Sequence, residues 1–139
     1  MSISPYLKWS NLTTLKTKHM NTNNFQINNW VEIIQKRKGH YTTIQNSSLS
    51  LKNIDKAYKP IDIDNDWIEV AFKFKRYPYS IAGQMGWHHP TENKFSVLLY
   101  KKTYWVEYID ENNFCYKEEI KYVHELQNIF NKFTNKEIR

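Results

Sequence analysis

The sequence is poor in cysteine, glycine and proline, and each shortage excludes a class of protein. Its 139 residues include one cysteine, Cys115, three glycines and four prolines. One thiol cannot form an internal disulfide framework or a cysteine-rich zinc site. So few glycines and prolines exclude a collagen-like or low-complexity chain. A glycine-rich phosphate loop and the CxxC, HxH and HExxH spacings are also missing, so we expect neither a cofactor nor a metal.

Long apolar runs are missing as well. No segment approaches the ~18–20 apolar residues that cross a bilayer, so we expect no membrane span. Lysines interrupt residues 1–20, which excludes a secretory signal, and one free cysteine is compatible with a reducing compartment. We therefore expect a cytoplasmic protein. Residues 1–23 are polar and predict an extended arm, and Met20 is an alternative start to Met1.

Apolar side chains are nevertheless abundant, at 40% hydrophobic and 16% aromatic residues. This composition excludes intrinsic disorder, and the length suits a single domain over residues 1–139. Residues 25–59 are predicted to be helical. A first helix is predicted over residues 25–38, ended by Gly39, and a second over Leu51–Lys59. The apolar face of the first helix would carry Ile27, Trp30, Val31 and Ile34.

The remaining chain predicts an antiparallel sheet within residues 67–117, because apolar and polar residues alternate there. An amphipathic C-terminal helix is predicted over residues 118–133. Since helices and strands are segregated along the chain, we predict an α+β fold. It would have N-terminal helices, a sheet of four to five strands, and the C-terminal helix packed on one face. The predicted strands are Trp67–Arg76, Ser80–Trp87, Phe95–Lys101, Thr103–Ile109 and Phe114–Lys117.

The formal net charge of +6 is unevenly distributed. Residues 1–59 hold nine basic and two acidic side chains, whereas residues 60–139 hold eleven basic and twelve acidic ones. A basic half can mark a surface for nucleic acid, so single-stranded RNA or DNA binding is an alternative function. Lysine outnumbers arginine, however, and arginine is the usual contact for bases and phosphates. The candidate residues are Lys36, Arg37, Lys38, Lys73 and Lys75.

A metal-independent ribonuclease is the less favoured alternative. Such an enzyme needs a general acid, a general base and a cation near the phosphate. His40 follows the basic run, and His88 and His89, in a predicted turn, could supply the second proton-transfer group. Adjacent residues of an extended segment point to opposite sides, so these two histidines should not share a metal. No nucleophile motif is present, and we assign no catalytic residue.

Aromatic residues are concentrated in the predicted sheet. Both faces of the strand Thr103–Ile109 carry large apolar groups, but the helices can cover only one face. We therefore expect an exposed aromatic face, and such faces usually mark interaction sites. Acidic side chains among these strands would repel a phosphate backbone, which favours a protein partner. The predicted partner-binding residues are Trp87, Tyr100, Tyr104, Trp105, Tyr108, Glu107 and Asp110.

The segments Trp67–Phe72 and Tyr104–Asp110 have the character of strands in an aromatic-rich sheet, within a chain rich in lysine and asparagine. In this general character, residues 25–133 resemble the bacterial immunity proteins that pair with contact-dependent inhibition toxins and other polymorphic toxins. The resemblance implies a non-enzymatic inhibitor that binds a cognate toxin domain tightly. Immunity proteins that block nucleases are often acidic. This basic chain would need a toxin with an acidic surface, or an interface formed by its near-neutral C-terminal part.

Overall fold

The computed structural model describes residues 25–45, 54–78 and 83–138. These ranges hold helices and two antiparallel sheets, which confirms the α+β class, and the predicted arm over residues 1–23 lies outside them. The helices are α1 (Ile54–Ala57), a π-helix (Trp67–Ala71) and α2 (Val123–Thr134). The strands are β1 (Trp30–Ile33), β2 (Tyr41–Thr43), β3 (Tyr58–Lys59), β4 (Lys75–Arg76), β5 (Met85–His88), β6 (Phe95–Tyr100), β7 (Thr103–Ile109) and β8 (Cys115–Ile120).

The strands form a three-stranded sheet of order β2-β1-β3 and a five-stranded sheet of order β4-β5-β6-β7-β8. Helix α2 packs on one face of the five-stranded sheet, which confirms the predicted position of the C-terminal helix. Its Phe130 ring meets the Phe95 ring of β6 edge-on, with the centroids 4.9 Å apart. We call this face the inner face. The main core lies between the inner face, α2 and the π-helix.

Helix α2 also contacts the three-stranded sheet through polar side chains. The Gln127 side chain accepts the N–H of Trp30 at 2.8 Å and donates to the carbonyl of Asn28 at 3.1 Å. Beside it, the amide of Asn29 donates to Asn128 at 2.9 Å. Because an unpaired buried backbone group costs about as much as a lost hydrogen bond, these contacts stabilise the start of β1 against the helix.

The helix predicted over residues 25–38 is wrong, because β1 and β2 form an antiparallel hairpin there. Aromatic and β-branched residues fill β1, and these favour strands. Asn28 has φ 72, which a helix interior does not allow. Gly39, predicted to end the helix, instead has φ 93 in the turn of the hairpin. Residues 51–53 of the helix predicted over Leu51–Lys59 lie outside the described ranges. Within those ranges the prediction is confirmed for α1 and wrong after it, since Tyr58 pairs with Ile33 in the sheet.

The strand predicted over Trp67–Arg76 is also wrong for most of its length. Asp64 starts the π-helix by accepting the N–H of Trp67 at 2.9 Å, and Phe72 N–H bonds to the carbonyl of Trp67 at 3.0 Å. The apolar residues are therefore not arranged as in a strand, and Val70 is 70% exposed. The segment Trp67–Phe72 is thus not a strand, although its strand-like pattern contributed to the resemblance.

The strands around the predicted hairpins agree better with the sequence. Strands β6 and β7 match their predictions to within one residue. Strand β8 continues to Ile120, because all six of its residues pair with β7. The C-terminal helix consequently begins at Val123 rather than near residue 118. Its start is stabilised by Glu125, whose carboxylate accepts the N–H of Lys121 at 2.7 Å and of Tyr122 at 3.0 Å.

Candidate functional site

The second face of the five-stranded sheet points away from α2, and we call it the outer face. Since side chains alternate along a strand, the register places every second residue of β5 to β8 on this face. No element within the described ranges packs on it as a layer. One row across the strands contains His88, Ser96, Glu107 and Lys117, and the next contains Gly86, Leu98, Trp105 and Glu119.

A band of apolar side chains crosses the centre of the outer face. Tyr77 lies over Gly86, where an added Cβ would be 2.8 Å from the Tyr77 ring and 3.1 Å from the Leu98 side chain. The Tyr77 hydroxyl is 2.8 Å from that of Ser96, which fixes the ring against the sheet. Leu98 pairs with Trp105 on the next strand, so Tyr77, Leu98 and Trp105 are neighbours. We call these three residues the apolar band.

Charged side chains surround the apolar band. The ammonium of Lys117 is 5.6 Å from the centroid of the Trp105 ring, and that of Lys101 is 5.3 Å from the Tyr100 ring. Glu107 is the cross-strand partner of Lys117 on this face. Cations over aromatic faces are attracted by the ring quadrupole and cover part of the ring. An apolar centre with a polar rim is the usual composition of a protein–protein interface.

Three of the predicted partner-binding residues lie on or at the edge of the outer face: Tyr100, Trp105 and Glu107. Tyr100 is 42% exposed at the end of β6, and Trp105 and Glu107 are half-buried. The residues that the sequence interpretation missed are Tyr77 and Leu98, together with the exposed Ile109. Leu98 lies two residues before the predicted Tyr100 and therefore on the same face of β6, so the period of two gave a signal for Leu98 that the sequence interpretation did not use.

The other aromatic predictions are corrected by the structure, because Trp87, Tyr104 and Tyr108 all lie on the inner face. Trp87 is fully buried, and its indole N–H donates to Glu69 at 2.8 Å. The Tyr104 ring stacks on Trp87, and its hydroxyl donates to Asn65 at 2.6 Å. Tyr108 stacks on Phe133 of α2 with the centroids 4.6 Å apart. Trp87 belongs to the core and is inaccessible, whereas Tyr104 and Tyr108 are half-buried rings that pack against the core.

Glu69 and Asp110 have structural roles. The Trp87 indole and the Arg76 guanidinium both donate to Glu69 and hold the pKa of its carboxyl below the ordinary value. This network joins the π-helix to the edge of the five-stranded sheet. Asp110, predicted to contact a partner, accepts the backbone N–H groups of Asn112 at 2.8 Å and Phe114 at 2.9 Å. It therefore stabilises the β7–β8 turn.

The histidines considered for catalysis are distributed over two sheets. His40 lies at the end of the β1–β2 turn, where its Nδ1 is 2.9 Å from the carbonyl of Arg37. His88 is in β5 rather than in a turn, and its ring lies 5.2 Å from Tyr77 on the outer face. His89 points to the inner face, 4.6 Å from the Phe130 ring. The expectation that His88 and His89 point to opposite sides is thus confirmed.

His89 is part of the turn that follows β5. Its Nδ1 accepts the backbone N–H groups of Thr91 at 3.2 Å and Glu92 at 3.0 Å. Burial lowers the pKa of His89, so the neutral ring is the favoured form. Cys115 is an exposed residue on the outer face. Its thiol is partly buried, and this burial raises the pKa of Cys115; the negative charge of Glu107 raises the pKa further. A raised thiol pKa disfavours the nucleophilic thiolate.

The five lysine and arginine side chains considered for nucleic acid fall into two groups. Lys36, Arg37 and Lys38 are exposed in the β1–β2 turn of the three-stranded sheet. Lys73 precedes β4, and Lys75 lies in that strand at the edge of the five-stranded sheet. The structure therefore places these cations on two different sheets.

In the part of the chain that the structure describes, no three histidine, cysteine, aspartate or glutamate side chains are grouped as a metal site would require. The described helices are all too short or too polar to cross a membrane. Comparison with protein-family models, with curated proteins and with solved structures finds no match to this chain.

Proposed function

We propose that this chain is a non-enzymatic protein-binding module that contacts its partner through the outer face of the five-stranded sheet. The observation that carries the proposal is the apolar band, whose three side chains are neighbours on a face that no described helix covers. Tyr77 is 38% exposed and Trp105 is half-buried, and both lie around Leu98, which is 9% exposed. Contiguous apolar surface with a polar rim is typical of interaction sites. Tyr and Trp are also the side chains that most often dominate binding energy.

The outer face is organised before any partner arrives. Strands β6, β7 and β8 are paired over their full lengths, and Tyr77 is fixed by Ser96 and by its fit over Gly86. A rigid surface loses little conformational entropy on binding, which favours high affinity. Strands ~4.8 Å apart and β7 of seven residues give a face of about 20 by 20 Å. A standard interface buries about 800 Å² per partner, so surrounding turns would contribute as well.

The partner that we propose is a cognate bacterial toxin domain, as the resemblance to immunity proteins implies. The rim of the outer face carries both signs of charge, with Lys75 and Lys117 against Glu107 and Glu119. A mixed rim fits a partner of mixed charge, so the net charge of +6 need not be matched by an acidic toxin. The exposed free thiol of Cys115 suits a reducing compartment, and we place the protein in the cytoplasm.

A non-enzymatic role is supported by the histidines. The Nδ1 of His89 already accepts two backbone N–H groups and its ring packs on Phe130, and His40 is on the other sheet from His88. Acid–base catalysis would need two such groups on either side of one bond. The ribonuclease hypothesis therefore has no geometric support.

The test combines this protein with the toxin-like domain encoded by the neighbouring gene. Trp105→Ala should weaken the complex by ~30-fold or more in calorimetry, as expected for an interface hot spot worth ~2 kcal/mol. It should also abolish protection when both proteins are co-expressed in growing cells. The matched control is Val70→Ala, which removes an apolar side chain that is 70% exposed on the π-helix and should change neither result.

Two results would refute the proposal. One is a neighbouring gene product that forms no complex with the wild-type protein. The other is a complex whose affinity is the same for wild type and Trp105→Ala. Circular dichroism of the variant must first show the wild-type fold, because Trp105 is half-buried.

A further inference from the structure

The turn of the β1–β2 hairpin forms a second charged surface, on the sheet that does not carry the apolar band. Lys36, Arg37 and Lys38 are consecutive and exposed, and none forms an ion pair with a residue in the described ranges. The turn is held at its base, because Gly39 N–H donates to Glu32 at 2.9 Å. Three uncompensated cations are thus presented at one fixed turn.

An exposed aromatic ring follows these cations at the start of β2. Tyr41, two residues after Gly39, is 43% exposed. Its ring meets Trp67 edge-on at a centroid distance of 5.4 Å. Trp67 in turn packs against Trp30 at 5.9 Å and Phe72 at 5.7 Å. Tyr41 is therefore supported from one side by a chain of buried and half-buried rings, and the rest of its surface faces solvent.

The acidic residue nearest in sequence to the hairpin turn is Glu32, and its charge is already balanced by other groups of the protein. Glu32 is the cross-strand partner of Tyr41, yet it is only 8% exposed. Its carboxylate accepts the N–H of Gly39, and its other oxygen is 3.8 Å from the ammonium of Lys59. Asp64 and Asp66 are exposed carboxylates close in sequence to Trp67, and they limit the anion-binding surface at that ring.

We propose that this hairpin surface, defined as Lys36, Arg37, Lys38 and Tyr41, binds single-stranded nucleic acid. The three cations would contact successive phosphates, and a base would stack on Tyr41. Cations alone would fit any polyanion, but an exposed ring next to them favours a strand with unpaired bases over a duplex or an acidic peptide. Lys73 and Lys75 lie on the other sheet and are not part of this surface.

The experiment measures fluorescence anisotropy of labelled oligouridylate and oligothymidylate between ~50 and ~200 mM salt. Replacing Lys36, Arg37 and Lys38 together by glutamine should lower the affinity at least ~10-fold at low salt. It should also reduce the slope of log Kd against log salt by about 2, since each phosphate contact contributes about 0.7. Tyr41→Leu should lower the affinity ~5-fold or more without changing the slope, because it removes stacking and no charge.

The matched control is a triple variant in which Lys94, Lys102 and Lys121 are replaced by glutamine. These lysines are exposed in turns around the five-stranded sheet, so net charge falls by the same three units at another place. Equal losses in the two triple variants would overturn the proposal, because they would show attraction by net charge alone. Absence of oligonucleotide binding by the wild type at low salt would overturn it too.

Failure of this proposal is distinguishable from failure of the protein-binding proposal. Trp105→Ala should leave oligonucleotide affinity unchanged, since Trp105 lies on the other sheet. If the hairpin triple variant weakens binding of the partner protein while the wild type binds no oligonucleotide, the hairpin belongs to a protein interface. That result would refute nucleic-acid binding and leave the protein-binding proposal intact.

Discussion

Replacing the buried His124 by leucine should make the folding stability of this protein less sensitive to acid. His124 lies in α2 and is only 3% exposed. The Phe25 ring meets it edge-on at 4.9 Å and the Tyr122 ring stacks on it at 5.8 Å. Its Nδ1 makes no hydrogen bond with any residue that the structure describes. Burial among these rings lowers the pKa of His124 from 6.5 to about 4.

The sign and size of the effect follow from proton linkage. Below pH 6.5 the unfolded chain binds a proton at His124, whereas the folded chain does so only near pH 4. Stability contributed by the neutral ring is therefore complete above pH 6.5 and is lost as the pH falls toward 4. The difference of 6.5 − 4, about 2.5 units at ~1.36 kcal/mol each, gives a total of ~3 kcal/mol. Of this, ~2 kcal/mol should be lost by pH 5.

The assay is urea unfolding followed by tryptophan fluorescence at pH 7, 6 and 5. Wild type should lose ~2 kcal/mol more stability than His124→Leu between pH 7 and pH 5. Other acid-sensitive groups, such as Glu69 and His89, are present in both proteins and cancel in this difference. The control is His40→Leu, which replaces an exposed histidine of the hairpin and should follow the wild-type pH dependence. Parallel curves for wild type and His124→Leu would refute the burial argument.

Two further predictions concern the outer face and the junction of the sheets. Gly86→Ala should destabilise the fold by ~1–3 kcal/mol in thermal unfolding, because its Cβ would be 2.8 Å from the Tyr77 ring, and most of this loss should vanish in a Tyr77→Ala background. Gln127→Ala should cost ~1–3 kcal/mol in urea unfolding, because the N–H of Trp30 and the carbonyl of Asn28 lose their partner. Asn131→Ala, on the same helix, removes only an exposed hydrogen bond of 3.2 Å to the Lys136 carbonyl among the described contacts and should cost less than ~1 kcal/mol. A loss at Asn131 equal to that at Gln127 would contradict this reasoning.

The elements that the sequence predicted well are those whose pattern has one physical interpretation. Strands β6 and β7 are dense in β-branched and aromatic residues over six and seven positions. Helix α2 has an apolar stripe of helical period, which a sheet-covering helix requires. In both cases local propensity and tertiary packing favour the same structure, so the assignment needs no information about the partner element.

The elements that were predicted wrongly are those in which tertiary contacts decide between two conformations that the local sequence allows. The spacing of apolar residues in 25–38 suits a helix, but the same residues are good strand formers. The choice depends on Gln127, about 100 residues away, which bonds the backbone at the start of β1. Likewise the π-helix depends on Asp64 and on the pairing of Glu69 with the buried Trp87. Neither contact is visible in a local pattern.

The prediction that Tyr104 and Tyr108 contact a partner failed for a different reason. The sequence of the β6–β7 hairpin contains enough information to tell its two faces apart. Lys101 and Lys102 have φ 51 and φ 66, so they form a two-residue turn that sets Tyr100 opposite Thr103. With that register, one face of the hairpin holds only apolar and tyrosine side chains, while the other also holds Ser96, Glu107 and Thr103.

The face with the polar residues must be the one turned away from the helix, since burying them unpaired costs free energy. Trp105 is on that face, and Tyr104 and Tyr108 are on the other. The predicted strands Phe95–Lys101 and Thr103–Ile109 already leave the turn at this point, but its two-residue length and the register that follows from it were not recognised. Two lysines replace the usual Asn-Gly pair, and φ > 0 is rare for lysine. Each strand judged alone is apolar on both faces, and only the paired strands distinguish the core face from the outer face.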